Sequence, residues 1–159
     1  MKNSKSSKAM FGAGCFWGVE EAFRKIPGIL NTEVGYAGGK SSETDYEEVC
    51  SGSTGHAEVV RLEFNEEKIS YKKLLEIFFR IHDPTQKNRQ GPDIGYQYRS
   101  VIFYFNESQK KEAEEYLKEE QKNHNKPIAT SIEKASTYCK AEEYHQKYIM
   151  KGGKAACHI

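Results

Sequence analysis

The sequence lacks any long apolar run, and this absence excludes several classes of protein. Nothing in its 159 residues approaches the about 20 consecutive apolar residues that a membrane-spanning helix needs. The first eight residues, MKNSKSSK, are basic and serine-rich, so the chain does not start with the apolar stretch of a secretory signal. We therefore expect a cytoplasmic protein that does not associate with membranes.

An excess of charge of one sign is also missing. The 24 basic and 23 acidic residues leave a formal net charge of +1 at pH 7. Proteins that bind nucleic acid through bulk charge carry a basic stripe, so we expect no nucleic-acid partner. The length is typical of one domain. We predict a disordered segment over 1–8, a single domain over 9–150 and a flexible tail over 151–159.

The four cysteines, at positions 15, 50, 139 and 157, include no Cys-x-x-Cys pair, and the five histidines are scattered. This spacing does not fit a zinc site, so we expect no bound metal. In a reducing compartment such cysteines are thiols or catalytic groups rather than structural disulfides.

Apolar periodicity predicts an α+β domain. We predict strands over 9–13, 29–36, 57–65, 99–105 and 128–133, and helices over 16–26, 70–81, 106–123 and 141–150. The first six elements follow the order of a ferredoxin-like split βαβ unit, to which extra helices and a long irregular C-terminal segment are added. Long loops over 40–56 and 82–98 are unusual in a compact domain and favour a functional site.

The segment Gly12 to Gly18, GAGCFWG, is the most informative motif. It places Cys15 after a predicted strand, in a glycine-rich turn and at the start of a predicted helix. The positive end of a helix stabilises a thiolate, so this setting favours a nucleophile. Phe16 and Trp17 directly after it are interpreted as walls of a small apolar pocket. The alternative is a small buried residue at a strand–helix junction.

Further candidates lie at the entrances of two other predicted strands. Glu58, in GHAE, opens the strand over 57–65 and is a candidate general acid; the alternative is a carboxylate on a solvated edge. His56 beside it is interpreted as a turn residue. Asp93, Tyr96 and Tyr98 precede the strand over 99–105 and form a plausible hydrogen-bonding rim, although turn chemistry explains such residues equally well.

The remaining cysteines differ in their context. Cys157 lies two residues from the C-terminus, and it is either a resolving thiol on a mobile arm or an incidental exposed thiol. Cys50 and Cys139 have no such context and are interpreted as structural thiols.

Four motifs together resemble the A-type peptide methionine sulfoxide reductases. They are GCFWG at 14–18, GHAE at 55–58, GPDIGYQYRS at 91–100 and AEEYHQKY at 141–148. The resemblance runs from about residue 9 to the end of the chain and implies a ferredoxin-like domain with specificity for the S epimer of the sulfoxide. Pro92 and Tyr96 depart from the family's usual Asn and Thr.

The resemblance also implies roles for individual residues. Cys15 is matched to the nucleophile and Glu58 to the acid. The other matched positions are the methyl cage (Phe16 and Trp17), the pair that hydrogen-bonds the sulfoxide oxygen (Tyr46 and Tyr98), a residue that positions substrate and water (Asp93), and the recycling cysteine (Cys157).

The implied reaction reduces methionine S-sulfoxide, free or in oxidised proteins, through a sulfenic acid on Cys15 and a Cys15–Cys157 disulfide. Thioredoxin is the implied reductant, and no metal or organic cofactor is required. We expect a monomer. Two rival interpretations are a cysteine-dependent acyl transferase or thiol peroxidase, and a ferredoxin-like module that binds a peptide or RNA.

Overall fold

The computed structural model describes residues 6–40, 44–51 and 54–152, and a mixed sheet runs through its centre. The order of the strands in this sheet is β7-β6-β1-β3-β2-β8, and all neighbours are antiparallel except β6 and β7. Two further strands, β4 and β5, form a separate hairpin. The strands are β1 (Ser6–Ala13), β2 (Ile29–Ala37), β3 (Ala57–Asn65), β4 (Arg89–Gln90), β5 (Asp93–Ile94), β6 (Ser100–Tyr104), β7 (Ser131–Lys134) and β8 (Tyr138–Lys140).

Helices cover one face of the sheet. They are α1 (Phe16–Arg24), α2 (Tyr46–Cys50), α3 (Tyr71–Arg80) and α4 (Glu107–Gln121), with short 3-10 turns at Tyr96–Tyr98 and Glu143–His145. The main core lies between this face and the helices, where the ring of Phe11 stacks on Phe23 at 5.5 Å and on Phe78 at 5.1 Å. Within the described ranges, no helix is long and apolar enough to cross a membrane.

The predicted α+β class is confirmed, and the clearest periodic segments form the predicted elements. β3 has the predicted bounds, and its alternate residues Val60, Leu62 and Phe64 all face the main core. α3 begins after Ser70, whose hydroxyl accepts the backbone N–H of Lys73 as an N-cap. α1 ends at Arg24, two residues before the predicted boundary.

The predicted disordered segment over 1–8 is wrong at residues 6–8, which belong to β1. Their backbone pairs with the end of β3, where Ser6 lies opposite Asn65. Residues 1–5 lie outside the described residues. The predicted loops also contain structure, because α2 lies within 40–56 and the β4–β5 hairpin within 82–98.

The predicted helix over 141–150 is wrong, since only a 3-10 turn forms there. Outside this turn, backbone groups bond to other elements: the N–H of Ala141 donates to the Val34 carbonyl of β2 at 3.0 Å, and the N–H of Lys147 donates to Glu20 of α1 at 2.7 Å. The side-chain amide of Gln146 accepts from the N–H of Val34 at 2.9 Å and donates to the Val34 carbonyl at 2.9 Å. Lys147 has a φ of +53°, which no α-helix contains. These bonds fix residues 142–148, called here the C-terminal segment, against β2 and α1.

Candidate active site

Cys15 lies in the tight connection between β1 and α1. Gly14 has a φ of +98°, a left-handed conformation that glycine adopts without a steric penalty. Cys15 is the N-cap residue of α1, and 9% of its surface is exposed. The first turn of α1 contains no acidic residue of its own. This is the setting that the sequence predicts for a reactive thiol.

Glu58 lies directly beside this helix end. It is the second residue of β3 and is only 1% exposed, so the alternative of a solvated edge carboxylate is wrong. Its Oε1 accepts the backbone N–H of Phe16, the residue after Cys15, at 3.2 Å. The hydrogen bond holds a carboxyl group at the end of α1 that carries the thiol.

Two tyrosine hydroxyls lie around the same carboxyl. Tyr46 opens α2, and Tyr98 closes the 3-10 turn before β6. Burial raises the pKa of Tyr46 well above its ordinary value, and a hydrogen bond with Cys50 and the nearby charge of Glu58 raise it further. Burial likewise raises the pKa of Tyr98, with Glu58, Cys50, Asp93 and Cys15 adding to the effect. Both hydroxyls therefore keep their protons at neutral pH and are hydrogen-bond donors.

Cys50 is a site residue that the sequence analysis missed. Partial burial raises the pKa of its thiol, although hydrogen bonds with the side chains of Tyr46, Gln97 and Tyr98 act to lower it. Although Cys50 is an exposed residue, its thiol is therefore within hydrogen-bonding reach of both tyrosines. The sequence signal for Cys50 is its spacing from Tyr46. Residues four positions apart in a helix lie on one face, so a helix here brings the two side chains together.

Phe16 and Trp17 occupy different environments. Phe16 is fully buried in the main core, where its ring lies 5.6 Å from Tyr36 and 5.2 Å from His145. Phe16 therefore lies in the core, whereas the sequence analysis interpreted it as a wall of a small apolar pocket. Trp17 is partly buried, and its ring stacks on Tyr148 at 4.0 Å. Its Nε1–H donates to Nδ1 of His145 at 2.9 Å.

His145 is buried at 2% exposure among aromatic rings. Burial lowers its pKa, while the carboxyl group of Glu142, 3.8 Å from Nε2, acts to raise it. The imidazole is therefore neutral at pH 7, and the bond from Trp17 requires the proton to be on Nε2. The sequence analysis used His145 and Tyr148 only as part of a family motif, since their link to Trp17 spans more than a hundred residues of chain.

Asp93 is presented by the β4–β5 hairpin. Burial raises its pKa, and its Oδ2 is buried without a hydrogen bond among the described residues. Gln90 fixes the hairpin, because its side chain accepts from the N–H of Asp83 at 2.8 Å and donates to the Asp83 carbonyl at 2.9 Å. Asp93 also acts to raise the pKa of Tyr98, which lies five residues further along the chain.

Glu142 connects the C-terminal segment to the other side of the site. Its carboxylate accepts the hydroxyl of Tyr36 at 2.8 Å and the backbone N–H of Tyr46 at 3.1 Å. Partial burial acts to raise its pKa, but the hydrogen bonds that it accepts outweigh burial and lower it. Glu142 therefore holds the start of α2, which presents Tyr46 and Cys50.

Of the two remaining cysteines, Cys139 lies within the described residues. Cys139 lies in β8, and its thiol donates to the carbonyl of Thr44 at 3.5 Å. Cys157 lies outside the described residues. Within the described ranges, no cluster of His, Cys, Asp and Glu side chains is suited to a metal ion.

The fold and this constellation define a thiol-based oxidoreductase, with a cysteine at a helix end, a buried acid and two protonated tyrosines. The sequence profile of the family described as peptide methionine sulfoxide reductase matches residues 7–159, and the chain belongs to this family.

Known proteins of this family match this chain over more than nine-tenths of its length. The peptide methionine sulfoxide reductase MsrA of Methanothermobacter thermautotrophicus is 51% identical over 158 residues, which is 98% of this chain and 94% of that protein. Mxr1 from Saccharomyces cerevisiae in reduced form has a TM-score of 0.93 and 39% identity, covering 99% of this chain and 92% of Mxr1. Mxr1 in complex with Trx2 has a TM-score of 0.66 and 29% identity, covering 92% of this chain and 87% of that one.

Proposed function

We propose that this protein reduces methionine S-sulfoxide, free or in oxidised proteins, with Cys15 as the nucleophile and Glu58 as the acid. The hydrogen bond from the Phe16 N–H to Glu58 carries the proposal, because it keeps a buried carboxyl group beside the cysteine. A sulfoxide sulfur becomes electrophilic only when its oxygen is protonated or strongly hydrogen-bonded. The site therefore requires a thiolate, an acid and oxygen donors together.

The first half-reaction follows from these groups. The Cys15 thiolate attacks the sulfoxide sulfur while Glu58 donates its proton to the oxygen, and Tyr46 and Tyr98 hold that oxygen with their O–H groups. The oxygen then passes to the Cys15 sulfur while the sulfur–oxygen bond of the substrate and the transient bond between the two sulfurs break, so methionine leaves and Cys15 becomes a sulfenic acid. The substrate sulfur is reduced by two electrons and the cysteine is oxidised by two.

The substrate methyl group is assigned to the apolar surface formed by Phe16 and Trp17. In this assignment Phe16, which is fully buried, supports the surface from the core, where its ring lies 5.2 Å from that of His145. Trp17 forms the wall, held by His145 and Tyr148. Asp93 is assigned to the positioning of substrate and water, and its unpaired, buried Oδ2 supports this role.

Recycling requires a second thiol and an external reductant. In the proposed step the Cys157 thiolate attacks the sulfenic sulfur of Cys15, which forms a disulfide and releases the oxygen as water. Thioredoxin then reduces the disulfide; the structure of the relative Mxr1 in complex with Trx2 supports this partner. The reaction uses no metal or organic cofactor.

The architecture is assigned as a ferredoxin-like split βαβ core with extra helices and a long irregular C-terminal part, all in one catalytic domain that runs from β1 to residue 150 and is followed by a tail over 151–159. The order β6-β1-β3-β2 of the central strands supports this assignment. We further assign the protein to the cytoplasm as a monomer that repairs oxidative damage.

The assay for this function compares the two sulfoxide epimers with dithiothreitol as the reductant. We expect turnover of the S epimer of free and peptide-bound methionine sulfoxide, and none of the R epimer, which is the matched control. Absence of turnover with the S epimer would refute the proposal.

An acyl transferase would instead transfer acyl groups and would need a histidine base. The histidine nearest in sequence to Glu58 is His56. Its ring packs so closely against Gly39 that a Cβ atom placed on Gly39 would lie 2.2 Å from Nδ1 of His56.

A further inference from the structure

We propose that Glu20 is a positioning residue that holds the C-terminal segment in the conformation that keeps Trp17 in the methyl-binding wall. The inference rests on the proposed function, but Glu20 itself takes no part in the chemical steps. It lies on α1, three positions after Trp17, and is only 1% exposed.

The carboxylate of Glu20 binds groups from two other parts of the chain. Its Oε2 accepts the hydroxyl of Thr32, on β2, at 2.6 Å. Its Oε1 accepts the backbone N–H of Lys147 at 2.7 Å. The ammonium group of Lys147 lies 3.8 Å from Oε2 and donates to the Thr32 carbonyl at 3.0 Å. Hydrogen bonds to a buried charged group are strong and geometrically specific, so α1, β2 and the C-terminal segment are joined at one point.

Lys147 is placed where such a bond controls the methyl-binding wall. It lies between His145, which accepts the indole N–H of Trp17, and Tyr148, on which the indole stacks. Its φ of +53° belongs to the left-handed region, which a residue other than glycine occupies only when its surroundings hold it there. Glu20 stabilises this backbone conformation, because its carboxylate accepts the N–H of Lys147. The helix that carries Trp17 therefore also fixes the turn that presents the two rings holding the indole.

The test compares three variants. Glu20→Ala removes every contact, whereas Glu20→Gln keeps an oxygen for the N–H of Lys147. Glu21→Ala is the matched control, because Glu21 is the next residue of the same helix and, among the described residues, pairs with Arg24 at 2.7 Å and Lys25 at 3.0 Å. Trp17 is the only tryptophan in the chain, so the intrinsic fluorescence reports on this side chain alone.

For Glu20→Ala we expect kcat/KM for the S-sulfoxide to fall by about 10- to 100-fold, mainly through KM, because small misplacements at a binding wall are costly. We also expect Trp17 to become more accessible to acrylamide quenching. The rate at which iodoacetamide alkylates Cys15 should stay within about twofold of the wild type, since α1 still supplies its N-terminus. Glu20→Gln should restore KM to within about threefold, and Glu21→Ala should match the wild type.

Wild-type KM and wild-type quenching in Glu20→Ala would overturn the inference. If this variant does not fold by circular dichroism, Thr32→Val, which removes one contact to Glu20, is measured in the same way. An increase in KM of about threefold with increased quenching supports the inference, and no change in either overturns it. A wild-type protein that fails to reduce the S-sulfoxide would refute the proposed function instead, and the quenching comparison would still report on the position of Trp17.

Discussion

The two sides of Cys15 are built in different ways. On the oxygen side, Glu58, Tyr46 and Tyr98 surround the end of α1 with one buried acid and two O–H donors. On the methyl side, the indole of Trp17 is fixed by His145 and Tyr148 of the C-terminal segment, far along the chain. In the proposed mechanism the oxygen side supplies the proton and the methyl side binds the substrate, so substitutions on the two sides should separate kcat from KM.

The largest effect is expected where both sides meet. Cys15→Ser should lower kcat by at least about a thousandfold, because an alcohol at this position is a far weaker nucleophile than a thiolate. Cys139→Ser is the matched control, since its thiol donates only to backbone carbonyls among the described residues, as a hydroxyl also would. Turnover is measured with dithiothreitol and the S-sulfoxide. Retained activity in Cys15→Ser would contradict the assignment of the nucleophile.

The oxygen side is tested by Glu58→Gln. This change keeps an acceptor for the N–H of Phe16 but removes the transferable proton, so kcat should fall by about 100-fold or more. KM should change by less than about threefold, because the methyl-binding wall is untouched. An increase in KM with unchanged kcat would show that the carboxyl group binds substrate and is not the acid.

The methyl side is tested by pH and by His145→Asn. The indole bond needs an unprotonated Nδ1, and burial lowers the pKa of His145 from its ordinary value of 6.5. As the pH falls through this lowered value, protonation breaks the bond, and KM should rise by about tenfold with a matching change in Trp17 fluorescence. His145→Asn keeps an acceptor near Nδ1 and should abolish the pH-dependent change in fluorescence.

Protonation of His145 also changes the free energy of unfolding. Because the folded state binds the proton at lower pH than the unfolded chain, the contribution of His145 to the free energy of unfolding is complete above pH 6.5 and decreases below it. His124→Asn is the control for both measurements, as His124 pairs with Glu120 at 2.8 Å on α4. A fluorescence transition that persists in His145→Asn would contradict the assigned role.

The smallest effect is expected from Cys50, an exposed residue whose thiol hydrogen-bonds with the two tyrosines and takes no part in the proposed steps. Cys50→Ala removes its hydrogen bonds with Tyr46 and Tyr98, and kcat should fall by about threefold. Cys50→Ser, which keeps a hydroxyl in place of the thiol, should restore it. Loss of most activity in Cys50→Ala would show that the thiol takes a direct part in the redox steps.

The contrast between the two sides also explains what the sequence predicted. Cys15 and Glu58 were identified because each lies where a periodic strand meets a glycine-containing turn, which is a local signal. Nothing local marks the bond from Trp17 to His145, and the polar pattern over 141–150 indicated a helix. That helix is absent because the N–H of Lys147, which a helix would direct at the carbonyl of Glu143, donates to Glu20 instead, and Lys147 has a φ of +53°.

The measurement that tests the central claim most directly is mass spectrometry of the reduced protein after one equivalent of methionine S-sulfoxide. The account predicts that the protein loses about two hydrogen masses and that a peptide map locates a disulfide between Cys15 and Cys157. An unchanged mass with methionine released, or a disulfide that excludes Cys15, would contradict it.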